Sequence, residues 1–187
     1  MKKIAIFASG GGSNAQEIIN HFEGHKSIEV ALIVSNDTNA GVIDRAQKHE
    51  IPFYILQKGE LAEGEFSDVL LALEIDFVVL AGFLKKIPAD VIECYPNNIV
   101  NIHPALLPAY GGKGMYGSNV HKAVVAAGEK ESGMTIHFVN ENYDEGHIIE
   151  QHKVNLLPTD TAEDCARKVL ELEHKFFASA IEKLLIT

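Results

Sequence analysis

Short, continuously apolar runs alternate with longer stretches in which apolar residues recur every three or four positions, and the alternation persists over the first hundred residues. The runs "KIAIFAS", "IEVALIVS", "PFYIL", "DFVVLAG" and "NIVNIHP" predict five strands, buried on both faces where the apolar reading is unbroken. Between them, "SNAQEIINHF", "AGVIDRAQKH", "GEFSDVLLALE" and "PADVIECY" predict helices, the first with Ser13 or Asn14 near its N-cap. Strands and helices in turn build a doubly wound parallel sheet. After His103 the rhythm changes. "NVHKAVVAAG" is helical, whereas "SGMTIHFVNENYDEGHIIEQHKVNLL" predicts two antiparallel strands around a turn at Tyr143 to Gly146. From Thr161 to Leu185 the pattern predicts one long helix, with a threonine N-cap and acidic residues in its first turn. The fold class expected is therefore α/β: a mostly parallel sheet with a C-terminal antiparallel hairpin and a long C-terminal helix.

Length changes this picture only by bounding it: 187 residues fit a single domain, 1–187. A hydrophobic share of 47% with 22% charged residues is globular. The formal charge of −10 argues against nucleic acid as a partner, because neutralising phosphates takes an excess of Lys and Arg. Arg45 and Arg167 are the only arginines, so anion capture falls to backbone amides and lysines. Cys94 and Cys165 lie far apart without metal spacing and read as reduced thiols. "IAIFAS" is too short for a secretory core and no apolar run approaches a membrane span, so the expected location is cytoplasmic.

Two stretches carry candidate chemistry. "SGGGSN", Ser9 to Asn14, joins the first strand to the first helix, where successive backbone N–H groups make an anion site. The spacing of Gly10, Gly12 and Ala15 also approximates a dinucleotide fingerprint, for which Asp37 would supply the acid after the second strand. A phosphate-bearing small ligand, a nicotinamide cofactor and a plain tight turn all remain open on this loop alone. In the second stretch, "NIHPALLP", Asn101 and His103 share a strand face at the carboxyl end of the parallel sheet, where ligands bind in such architectures. An amide and an imidazole there suit acyl transfer, as donors to an oxyanion; the alternative is ordinary strand-end decoration. Asp144, in the hairpin turn, is a possible partner for His103 and equally a common turn residue. GxSxG and HExxH are absent, so neither a covalent acyl-enzyme nor a metal site is expected.

Taken together, "SGGGSN", "VLAGFLKKI", "NIHPALLP", "HFVNENYDEG" and "ELEH" stand in the order and spacing of the phosphoribosylglycinamide formyltransferases, and the chain resembles that folate-dependent family over essentially its whole length. The resemblance implies a Rossmann-like fold, with 1–100 as a nucleotide-binding half and 101–187 as a catalytic and folate-binding half. It implies glycinamide ribonucleotide and 10-formyltetrahydrofolate as substrates, with no metal, in a monomer or homodimer. By position it implies that Gly12, Ser13 and Asn14 hold the nucleotide phosphate and that Glu173 grips the ribose hydroxyls. Leu84, Lys85, Lys86 and Ile87 would contact the folate, as would the turn Asn140, Glu141, Asn142, Tyr143 and Asp144. Asn101 and His103 would be the catalytic pair, Asn101 also touching folate, and Asp144 the acid raising the histidine pKa. It further implies a cis peptide at Leu107–Pro108 and a family histidine at His121.

The chain departs from the family at Lys85, where arginine is frequent, and across 50–75, which contains no arginine. Leu170 stands where some relatives are polar, and the "GGKGMYG" loop is longer than usual. Methionyl-tRNA or sugar-nucleotide formylation is the alternative within the class, and a nicotinamide-binding module the alternative outside it.

Overall fold

The computed structural model describes residues 1–63 and 66–186. The chain runs β1 (Lys2–Phe7), α1 (Ser13–Phe22), β2 (Ile28–Ser35), α2 (Gly41–Lys48), β3 (Phe53–Ile55), α3 (Glu60–Glu63), α4 (Phe66–Ala72), β4 (Phe77–Leu80), α5 (Ala89–Cys94) and β5 (Ile99–His103). It continues through α6 (Ser118–Ala126), β6 (Glu131–Phe138), β7 (Ile148–Asn155) and α7 (Ala162–Ile186). All the strands join one seven-stranded sheet in the order β3-β2-β1-β4-β5-β6-β7. Strands β1 to β5 pair parallel, while β6 pairs antiparallel with both β5 and β7.

Alternation along each strand divides the core into two layers. Ile4, Ile6, Val79, Val100 and Ile102 pack on one face with residues of α1, α2 and α7. Ala5, Phe7, Val78, Leu80 and Ile99 pack on the other with residues of α4 and α5. This is the expected α/β fold, with its hairpin and its long last helix.

Three boundaries differ from the sequence reading. Of the predicted third helix, α4 covers Phe66–Ala72, with α3 an addition upstream of it, and Gly64 and Glu65, the first two residues predicted for it, lie outside the described residues. The N-cap of α1 is Gly12 rather than Ser13 or Asn14, and no side chain caps the helix. Gly12 is left-handed (φ 67°), and a Cβ there would stand 2.6 Å from Val42 Cγ2, so both backbone and space require glycine. The hairpin connection occupies 139–147, longer than a tight turn, because it wraps back toward β5. At α7 the reading and the structure agree: Thr161 Oγ1 accepts the Asp164 N–H (3.2 Å) while Asp164 Oδ2 accepts the Thr161 N–H (3.1 Å), a reciprocal cap.

The strand order reverses direction between β1 and β4, which makes their carboxyl ends a topological switch point. The glycine loop leaves β1 there and the 82–87 segment leaves β4 beside it.

Candidate active site

A cleft of about 560 Å³ opens at these strand ends. Asn101 and His103, on β5, line its floor together with His137 of β6, which pairs with Asn101 in the sheet register. Asp144 reaches them from the hairpin loop in a left-handed conformation (φ 59°), which aspartate tolerates better than most residues. Gly146 makes that loop shape possible, since a Cβ there would overlap the Phe138 carbonyl oxygen.

The four polar side chains form one cluster. His103 Nδ1 lies 3.5 Å and His137 Nε2 3.6 Å from Asp144 Oδ1, and the Gly112 N–H donates to Asp144 Oδ2 at 2.9 Å. The Phe138 carbonyl can only accept, so His137 Nδ1 carries a proton toward it (2.9 Å). In the neutral ring Nε2 accepts from the Asn101 amide at 3.1 Å, whereas in the protonated ring Nε2–H donates toward Asp144 Oδ1. By the same logic His103 Nε2–H donates to the Tyr110 carbonyl at 2.8 Å. Tyr110 is itself left-handed (φ 57°), in the loop that follows the cis Leu107–Pro108 peptide.

Charge in this cluster differs from what the sequence implied. His103 is 3% exposed, and that burial lowers its pKa below the ordinary value although Asp144 and the Tyr110 carbonyl pull it upward. Asp144 thus acts on His103 in the expected direction, but desolvation outweighs it. Burial pushes the Asp144 carboxyl up in its turn; His137, His103 and the Gly112 N–H more than offset that and hold it below the usual carboxylate range. The single N–H of neutral His103 is already given to the Tyr110 carbonyl, so the ring is not the free donor that the strand position alone suggested.

Across the cleft Asn14, in the first turn of α1, donates to Glu173 Oε2 of α7 at 2.6 Å. Glu173 is 7% exposed, and burial raises its pKa to about 7, the Asn14 hydrogen bond opposing. Leu84, Lys85, Lys86 and Ile87 form one wall, and Asn140, Asn142 and Tyr143 another. Gly12, Ser13 and Glu141 do not line the cleft: Gly12 and Ser13 form the turn leading into Asn14, and Glu141 is exposed on the hairpin loop.

His121 of α6 also lines the cleft, its Nδ1 3.6 Å from Cys165 Sγ, and its pKa is lowered by burial and by nearby His103. The 112–117 stretch of the glycine-rich loop, including Lys113 and Tyr116, closes the remaining side. Asp37 instead accepts the Asn39 N–H (2.8 Å) in a local turn and stays outside the cleft, so the acid required by the dinucleotide reading is not in place. Among the described residues no group of three or more His, Cys, Asp or Glu side chains is arranged to hold a metal, and no helix is long and apolar enough to cross a membrane.

His137 and the Tyr110 and Gly112 backbone groups were not singled out from sequence. The only signal for His137 is its register opposite Asn101, which becomes visible once β5 and β6 are known to pair antiparallel.

Comparison with known proteins agrees with this geometry. The profile described as "Formyl transferase" matches residues 2–181. A chloroplastic phosphoribosylglycinamide formyltransferase of Arabidopsis thaliana is 44% identical over 96% of this chain, which spans 64% of that relative's length. The Bacillus subtilis phosphoribosylglycinamide formyltransferase is 35% identical, the match covering 99% of this chain and 95% of the relative. The crystal structure of phosphoribosylglycinamide formyltransferase from Bacillus halodurans superposes with a TM-score of 0.88 at 37% identity, covering 98% of this chain and 95% of its own. With the sheet order, the β5 cluster and these matches in agreement, the chain belongs to the formyl transferase family, among the phosphoribosylglycinamide formyltransferases.

Proposed function

We propose that the protein transfers the formyl group of 10-formyltetrahydrofolate to the amine of glycinamide ribonucleotide, a step of purine biosynthesis. The observation that carries this reading is the Asn101–His103–His137–Asp144 cluster, set in a cleft that also holds Asn14 with Glu173 and the 84–87 wall. In this reading the turn from Gly12 to Asn14 takes the nucleotide phosphate on its backbone amides. Glu173 accepts the ribose hydroxyls. Leu84, Lys85, Lys86, Ile87 and, from the hairpin loop, Asn140, Asn142, Tyr143 and Asp144 hold the folate, while Glu141 lies on the outer side of that loop. Both halves serve both tasks, since the 84–87 folate wall belongs to 1–100 and the ribose-binding Glu173 to 101–187, and the enzyme acts in the cytoplasm on small molecules.

The chemistry follows from the donors. The substrate amine attacks the formyl carbon, a carbon–nitrogen bond forms, and the carbonyl electron pair becomes an oxyanion. Asn101 Nδ2 has two N–H bonds; one goes to His137, and the second serves the oxyanion. His103 joins by exchanging the Tyr110 carbonyl for the oxyanion on Nε2–H. The oxyanion supplies a second negative charge beside Asp144, so the proton affinity that burial removes from His103 returns as the reaction proceeds. The amine proton passes to the folate N10, that carbon–nitrogen bond breaks, and the oxyanion collapses to the amide.

A turnover assay with 10-formyltetrahydrofolate and three alternative acceptors, glycinamide ribonucleotide, water and a formylatable tRNA, tests the reading. Transfer to the ribonucleotide alone is the expected result; hydrolysis or tRNA formylation at a comparable rate overturns it.

A further inference from the structure

Ser9 is the last residue before the three glycines, and it belongs to neither the phosphate turn nor the catalytic cluster. Its contacts nevertheless join three strand ends. The Ser9 N–H donates to the Gly82 carbonyl at 3.0 Å, and with the Ala81 N–H on the Phe7 carbonyl it extends the β1–β4 ladder beyond β4. Its hydroxyl donates to Asn36 Oδ1 at 2.5 Å, just past the end of β2. The same oxygen accepts the Leu84 N–H at 2.9 Å. One half-buried hydroxyl is thus both donor and acceptor, and each bond polarises it in favour of the other.

Packing anchors the segment at Phe83, whose ring meets Phe7 edge-on at 5.3 Å, and at Ile87, which is buried; the Leu84 end of that chain matters because it fixes the backbone between them. Leu84 is 52% exposed, so its side chain contributes little packing of its own. Gly82, two residues earlier, is left-handed (φ 79°), a turn that leads the backbone away from the β1 ladder. Among the described residues, the Leu84 amide and the Gly82 carbonyl are the points where hydrogen bonds pin 82–87 to the rest of the molecule, and Ser9 holds both.

We propose that Ser9 is a positioning residue for one substrate subsite: from the end of β1 it fixes the backbone of the 84–87 wall, and with it the place of the folate. This rests on the reading of 84–87 as the folate wall.

The test compares Ser9→Ala with Ser9→Thr. Removing the hydroxyl should raise the KM for 10-formyltetrahydrofolate about 10-fold, while the KM for glycinamide ribonucleotide and kcat stay within about 2-fold, the size expected when one amide loses its acceptor. Threonine restores the hydroxyl and should restore the KM. Asn36→Ala keeps the hydroxyl but frees it to turn, so a smaller rise in the same KM is expected; it serves as the second variant if Ser9→Ala does not fold. Amide hydrogen exchange at Leu84, followed with no substrate present, should quicken in Ser9→Ala. Unchanged exchange, an unchanged folate KM in an active variant, or equal rises in both KM values each overturn the proposal. An inactive wild type sinks the functional reading instead, and the exchange measurement still decides whether Ser9 holds the segment.

Discussion

Asp144 and Glu173 face the same cleft from opposite sides, both carboxyls largely withdrawn from water, and their surroundings drive them apart. Asp144 meets two imidazoles and a backbone N–H and is held below its usual range. Glu173 meets one amide, from Asn14, and rises to about 7. Burial acts on both in the same direction, so the difference lies in the partners. The hairpin side of the cleft is built to keep a negative charge. The α7 side can hold its acid neutral until a ligand brings donors to it.

The largest expected effect tests the charged side. Asp144→Asn keeps the shape and removes the charge, and turnover should fall about 10²-fold or more, as when a group stabilising the transition state is lost. If Glu173→Gln lowered kcat as far with unchanged KM, the two acids would not divide the work in this way.

Next comes stability at the neutral side. Below about pH 4.5 Glu173 is protonated in both folded and unfolded chains and costs nothing. From there to about pH 7 the unfolded chain gives up the proton and the fold keeps it, so stability falls as pH rises, and above 7 the penalty is constant. Glu173→Gln removes that penalty. Denaturation at pH 8 should show the variant gaining about 3 kcal/mol more over wild type than at pH 4.5. A gain independent of pH would mean the carboxyl is not held neutral.

The smallest effect refines the Asp144 side. His137→Phe removes one of the groups holding the carboxyl low while leaving burial in place, so the acid limb of the pH–rate profile should move to higher pH. An unmoved limb would assign the whole effect to His103 and Gly112.

The sequence displayed the α/β order clearly because period-two and period-3.6 patterns are local properties of the chain. It displayed Asn101 and His103 because they break an apolar run at a strand end. It could not display the tautomer of His103, set by a carbonyl seven residues away on a left-handed tyrosine. Nor could it show His137, which looks like any histidine in an alternating strand until β6 is laid beside β5. The competition between burial and Asp144 at His103 is likewise a property of the assembled site, since desolvation has no side-chain signature. The Gly12 cap was missed because a left-handed glycine displaced the usual polar cap.

The order of the strands also governs how the protein avoids misassembly. A sheet's two border strands carry unpaired backbone groups that can recruit another chain. Here one border is β3, three residues long and too short to template much. The other, β7, runs for eight residues but carries Glu150 and Lys153, engaged respectively by Lys183 and Glu131. A newcomer strand at that border would have to accommodate these charges, so the hairpin that carries the Asp144 loop also ends the sheet in a form that discourages aggregation.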